Sequence, residues 1–426
     1  MSSPFLSAVP MAFVLAGVVL YAVLAGADFG AGFWTLIAGS DERGAQIREE
    51  AHHSMGPVWE ANHVWLIFVL TVFWTAYPAA LGSIASTLAA PLGLAGIGII
   101  LRGATYALRS GASGPRESMV LDTIFSLSSI LTPFALGTIV GTLAIGKVVT
   151  GNDAGNHFTS WLSLTPLLDG VIAVSTAAYL AAVFLAGDST RRGHPELAAA
   201  FRQRALVAGL VAGALAVAGL IAVHHDSHAL YHELSAGRAL PAVIVSAVGG
   251  IATLALVYAR RFEPARYSAA LAIAAVLVGW ALAQWPHILP DLTIRQAATV
   301  HDALIAVIIA VLAGGAIVFP SLVWLFRLSL RGQFDPVSDV EEHGQDAPRP
   351  DGIWPGGPAA AGRVAVAMLI VGVGLLVFVD AKPAHAVGVA ALLAFVVAGF
   401  IALAPALLPD EPRPQDSPED GEASGG

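Results

Sequence analysis

Three polar groups sit close together in the string Gly56-Pro-Val-Trp-Glu-Ala-Asn-His-Val-Trp-Leu-Ile67. Pro57 suits the first turn of a helix, because its missing N–H costs nothing there. Glu60 then falls in that turn, where the helix dipole favours a carboxylate. Glu60 and His63 are three residues apart and share a face, with Trp59 and Asn62 on the adjoining one. A carboxylate at a helix mouth, with Asn62 and His63 behind it, could collect protons and pass them inward. The plainer reading is interfacial anchoring by Trp59 and Trp65, with Glu60 as a helix-start charge. A second carboxylate, Asp28, lies in Gly26-Ala-Asp-Phe-Gly-Ala-Gly-Phe-Trp34, inside a long apolar stretch. There it is either a hydrogen-bonded tie between helices or part of the same proton chemistry. Arg102 ends another apolar stretch. It could neutralise Asp28 or Glu60, or snorkel to lipid phosphate, the blander reading.

The elements that must position these residues follow from composition. Of 426 residues, 56% are hydrophobic and 12% charged, against about 25% charged in a soluble domain. So few charges cannot cover so much apolar surface in water, and the same composition excludes disorder. A net charge of -9 argues against a nucleic-acid partner. The lack of cysteine removes disulfides, thiolate metal sites and thiol catalysis from this chain. The first basic residue is Arg43, so the first apolar stretch reads as a retained span and not as a signal peptide.

The expected fold is therefore all-α, a polytopic membrane helical bundle. Nine stretches are long enough to span, at about 5–38, 57–77, 82–108, 119–146, 163–186, 205–223, 240–259, 267–285 and 300–326. Two more follow at 363–380 and 384–408. Odd-numbered connections carry fifteen Lys or Arg and even-numbered ones four. The positive-inside rule then places the N-terminus outside, the C-terminus in the cytoplasm and Glu60 at the cytoplasmic side. Asp28 falls about 13 Å from the cytoplasmic end of span one. Small residues such as Gly26 and Gly30 permit close helix contact.

The remaining polar groups read more plainly. Asp122 is a helix-start charge. His224, His228 and His232 are spaced by four, with His225, Asp226 and Glu233 nearby. They are weak candidates for a divalent metal on one helical face, and a solvated loop is the plainer reading. His287, His301 and Asp302 are interfacial.

At Gly26–Trp34 and Gly56–Ile67 the chain resembles subunit II of cytochrome bd quinol oxidases. Trp59, Glu60, Asn62 and Trp65 match that family's span-two signature. Asp28 to Gly32, Arg102 closing span three, and Trp285-Pro-x-Ile-x-Pro290 fit as well. The resemblance covers about 1–334. It implies a non-haem subunit paired with a similarly folded subunit I, which carries haems b and d and oxidises quinol to reduce O2. No cofactor is implied in this chain itself beyond a bound quinone or lipid. A small single-helix subunit is a further partner of such complexes. Glu60 would stand in a proton path from the cytoplasm, with Asp28 deeper.

The chain departs from the family pattern in several places. Ala25 stands where typical members carry a first span-one Asp, Glu60 replaces Asp, and His63 stands where many have Gln. Tyr106 and Ala107 stand where some members carry an Asp after the span-three Arg. A polar linker at 335–362, two helices at 363–408 and an acidic tail at 409–426 lie outside the resemblance. Two other readings fit the residues: an ion-coupled secondary transporter built on Asp28, and an architectural subunit in which Asp28 and Glu60 only pack.

Overall fold

The computed structural model describes residues 4–39, 41–55, 59–109, 115–151, 155–330, 357–378 and 382–407. Most of the expected linker and all of the expected tail lie outside them. The chain divides into two compact units, Met1–Arg331 and Gly332–Gly426.

The first unit is built on α1 (Pro4–Leu36). It is followed by α2 (Glu42–Met55), α3 (Trp59–Ala76), α4 (Pro78–Thr87), α5 (Ala89–Arg109), α6 (Pro115–Ala144), α7 (Leu164–Arg191) and α8 (Pro195–Asp226). Then come α9 (His228–Ser235), α10 (Leu240–Tyr258), α11 (Phe262–Gln284), β1 (His287–Leu289), β2 (Leu292–Thr293), α12 (Ile294–Ala297) and α13 (His301–Leu330). Among the described residues eight helices are long and apolar enough to span, or nine if α3 and α4 count as one broken span. The polytopic helical bundle expected from composition is what the chain forms.

One limit read from the sequence is corrected. The stretch at 82–108 is not a single helix. Residues 78–87 form α4, bent by 120° from α3, and the third span starts at Ala89. Pro78 is the cause. It removes one backbone donor and disfavours helix at the preceding Tyr77, whose φ of -137° and ψ of 58° break the run. The buried Tyr77 hydroxyl donates to the Ser7 carbonyl at 2.6 Å and fixes the break against the start of α1. The β1–β2 hairpin and α12 cover α4, with Leu289, Ile294 and Ala297 buried against Ile84, Leu88, Tyr77 and Ala80. The Thr150 hydroxyl donates to Asp291 at 2.8 Å, ties the hairpin to the loop after α6, and holds that exposed carboxyl below the usual range.

Helix α1 runs through the middle, packed on α3, α6 and α7. Gly30 permits this. A Cβ there would overlap the Ala177 carbonyl and the Ala181 side chain of α7. Trp34 Nε1 donates to the Ala178 carbonyl at 2.8 Å in the same seam. The polar helix α2, which composition did not separate from its loop, starts where Asp41 accepts from the Gly44 N–H at 2.9 Å. It docks through buried Ile47 and Ala51. Its buried Glu50 accepts from Ser189 at 3.0 Å and pairs with Arg192 at 3.3 Å.

The second unit holds α14 (Gly357–Phe378) and α15 (Lys382–Leu407), so α14 starts within the stretch read as linker. The two helices pack directly on each other. Ala361, Ala365, Ala391 and Ala398 are buried, and a Cβ on Gly372 would crowd Leu392 and the Gly388 carbonyl. Small residues make the seam, as expected where lipid supplies no hydrophobic drive between helices.

Gly30→Ala is expected to destabilise the chain by about 1–3 kcal/mol through overpacking against α7. Gly213→Ala on α8, where nothing lies within 4 Å, serves as the neutral comparison. Thermal denaturation of the two purified variants in detergent measures the difference.

Candidate functional site: a buried Asp–Asn–Arg cluster

The site forms where α1, α3, α5 and α6 meet. Asp28 on α1 is 9% exposed, Asn62 on α3 is 4% and Arg102 on α5 is 2%. The Asp28 carboxylate accepts from Asn62 Nδ2 at 2.7 Å. The same amide lies 3.5 Å from the Leu24 carbonyl. Arg102 Nη2 donates to the backbone carbonyl of Asp28 at 3.0 Å, and Nη1 donates to Ser129 Oγ on α6. Ser129 in turn donates to the Phe125 carbonyl at 2.6 Å. The guanidinium carbon lies 5.0 Å from the centroid of Phe29 and 4.5 Å from that of Phe125.

Arg102 therefore does not snorkel. Its charge is buried against two aromatic faces and bonded to α1 and α6, within electrostatic reach of the Asp28 carboxylate. Each helix has a local reason to come this close. A Cβ on Gly32 would overlap Ser129 and reach Arg102. A Cβ on Gly98 of α5 would overlap the Thr132 hydroxyl of α6.

His63 lies on the next layer. Its Nδ1 is 3.5 Å from the Tyr21 hydroxyl, and its ring is 6.0 Å from both Tyr21 and Phe29. Trp65 packs on the cluster of Tyr21, Ala25, Phe29 and Ala177. The side chains of Trp59 and Glu60 lie outside the described residues. Their backbone forms the first turn of α3, one turn before His63.

Of the residues singled out from sequence, Asp28, Asn62, His63, Trp65 and Arg102 thus come together. Tyr21, Phe29, Phe125 and Ser129 complete the site and were not singled out. A run of buried hydroxyls on α6, Ser126, Ser128, Ser129 and Thr132, was the available signal: four small polar residues inside one span ask for a polar neighbour.

The histidine candidates behave differently. Ser227 interrupts the helix, so His224 ends α8 while His228 and His232 belong to α9. The single helical face inferred from their spacing does not form. The His224 and His228 rings touch edge to face at 5.0 Å, and His224 packs on Tyr231 at 4.5 Å. Among the described residues no group of three His, Cys, Asp or Glu could hold a metal ion.

Comparison with known proteins bears on this geometry. The family described as cytochrome bd terminal oxidase subunit II matches residues 6–329. A putative cytochrome bd menaquinol oxidase subunit II of Bacillus subtilis is 23% identical over 74% of this chain and 92% of its own length. A cytochrome bd ubiquinol oxidase subunit 2 of the same organism is 25% identical over 37% of this chain and 47% of its own. The solved bd oxidase from Geobacillus thermodenitrificans contains a chain of the same fold, with a TM-score of 0.60 at 21% identity. That match covers 77% of this chain and 99% of the other.

Arg102→Met is expected to cost about 3–5 kcal/mol, because it strands the Asp28 carboxylate in the bundle. Adding Asp28→Asn should recover part of that loss, since the stranded charge is then gone. Unfolding of the single and double variants in detergent reads the coupling.

Proposed function

From its membership of the cytochrome bd terminal oxidase subunit II family, we propose that the chain scaffolds a haem-bearing subunit I and lines a proton path from the cytoplasm. The observation that carries the path is the buried Asp28–Asn62 hydrogen bond at 2.7 Å. It places a carboxylate of α1 against α3, two residues beyond Glu60. In this reading Glu60 takes protons from the cytoplasmic side, where the bias of basic loops puts it. His63, on the same face of α3 as Glu60, and Asn62, bonded to Asp28, line the way inward. Arg102 stabilises the ionised form of Asp28 between deliveries, so that the site can empty and refill. Haems b and d belong to subunit I, quinol is the electron donor there, and a quinone or lipid is the ligand this chain itself would hold.

Family membership does not favour a transporter built on Asp28. The architectural reading differs from the proton-path reading in what neutral isosteres do. Glu60→Gln and Asp28→Asn are expected to lower quinol oxidase rate and proton uptake by about tenfold or more. The haem difference spectrum of the affinity-purified complex should be unchanged. Loss of the haem bands with the variants, or full turnover, would leave only packing roles for the two carboxylates.

The α14–α15 hairpin is read as an attached counterpart of a small single-helix subunit. A chain ending at Arg331 is expected to give about a several-fold lower yield of assembled complex on extraction, as loss of one helix-packing interface of order 1 kcal/mol implies. Quantifying haem per purified chain checks this.

A further inference from the structure

A second carboxylate lies inside the bundle, and the proton path above does not use it. Asp169 sits in the second turn of α7, five residues after Leu164. That is about 7–8 Å below the helix start. It is partly buried. Its side chain faces Gly141 of α6, where a Cβ would overlap Oδ2, and its Oδ1 lies toward Gly219 of α8. Among the described residues no hydrogen bond or ion pair reaches it. Asp28, by contrast, has an amide on its carboxylate and a guanidinium nearby. An ionised carboxylate with neither is costly in a membrane span by several kcal/mol, and a bound proton removes that cost.

The route for such a proton is on the same face of α7. Thr165 is one turn before Asp169, so the two Cβ atoms stand about 5–6 Å apart. Thr165 is fully buried. Its hydroxyl donates to Asp226 Oδ2 at 2.6 Å. Asp226 ends α8 at the exposed edge of the bundle, with His225 Nδ1 3.1 Å from its other oxygen. The exposed His224 lies in the same last turn of α8, with its ring against His228 of α9, and the exposed His232 follows one turn on. Lys147, whose ammonium donates to Ser163 at 2.9 Å, lies within electrostatic reach of Asp226, and in the turn after α9 Arg238 is paired with Glu233 at 3.3 Å.

We propose that Asp226, Thr165 and Asp169 form a proton-exchange route between the histidine-rich surface and a half-buried, proton-binding carboxyl on α7. By the bias of basic loops this surface is the outer one. In the outward step, once rotation of the Asp169 side chain brings its carboxyl from Gly141 to the Thr165 oxygen, it releases its proton there as the Thr165 hydroxyl proton passes to the Asp226 carboxylate. Asp169 is left ionised and Asp226 neutral, and solvent or a neighbouring imidazole then takes the proton. The observed hydrogen bond, with Thr165 donating to Asp226, is oriented for that direction. Rotation of the hydroxyl reverses it. The step moves one proton, requires no redox partner, and shares no residue with the Asp28 cluster.

The test is infrared difference spectroscopy of the purified complex on transfer from H2O to D2O. The carbonyl stretch of protonated carboxylic acid should be present, shift on exchange, and lose one component in Asp169→Asn. In Thr165→Val the band should persist while its exchange slows by about tenfold, the effect of removing one relay group from a proton-transfer step. The Thr165 variant keeps the carboxyl in place, so it decides the route even if Asp169→Asn does not assemble. A wild-type complex with no exchangeable acid band, a band undiminished in Asp169→Asn, or exchange of the Asp169 component unchanged in Thr165→Val would each overturn the proposal.

Discussion

A guanidinium that cannot reach water has to be met on every side by protein, and Arg102 sets that condition for the first unit. Its donors require a carbonyl from α1 and a hydroxyl from α6. Its faces require the rings of Phe29 and Phe125. These demands hold α1, α5 and α6 in one arrangement, and Asp28 brings in α3 through Asn62. In lipid there is little hydrophobic gain from bringing helices together, so directional contacts and close packing must choose among arrangements. The Arg102 cluster is such a contact, and Gly30, Gly32 and Gly98 supply the close approach that lets it form.

The same physics explains what could be read from the sequence. Spans are legible because composition alone decides whether a stretch can sit in hydrocarbon, and the bundle follows from their number. Asp28, Asn62 and Arg102 are legible as residues because each is out of place in an apolar run. Their mutual contact is not, since it links positions 34 and 74 residues apart. Arg102 illustrates the gap. A cation near a span end has two solutions, reaching lipid phosphate or finding partners inside, and only the packing of Ser129 and Phe125 selects the second.

Breaks are harder to read than spans. Pro78 was visible, but hydropathy runs on through it, so the sequence gives no account of a 120° turn until Tyr77 is seen bonded to Ser7. Ser227 acts the same way on a smaller scale, splitting three evenly spaced histidines between two helices. Periodicity describes a face only as long as one helix carries it, and neither Pro78 nor Ser227 announces by residue type how sharply the chain will turn.

Asp28 and Asp169 show two answers to one energetic problem. Both are carboxylates within spans, and each must be relieved of the cost of its charge. Asp28 has neighbours that offset part of that cost, an amide bonded to its carboxylate and a guanidinium within electrostatic reach. Asp169 faces Gly141 and Gly219, and in the proposed route its relief comes from the proton itself. Glycine is what makes that surrounding possible, because Gly141 and Gly219 bring helix backbones close to the carboxyl while offering it no side-chain donor. The contrast lies in what each helix presents to the carboxyl, not in the residue type: Asp169 in Leu167-Leu-Asp-Gly170 is as out of place in its apolar run as Asp28, and only the packing of α6 and α8 shows what it faces.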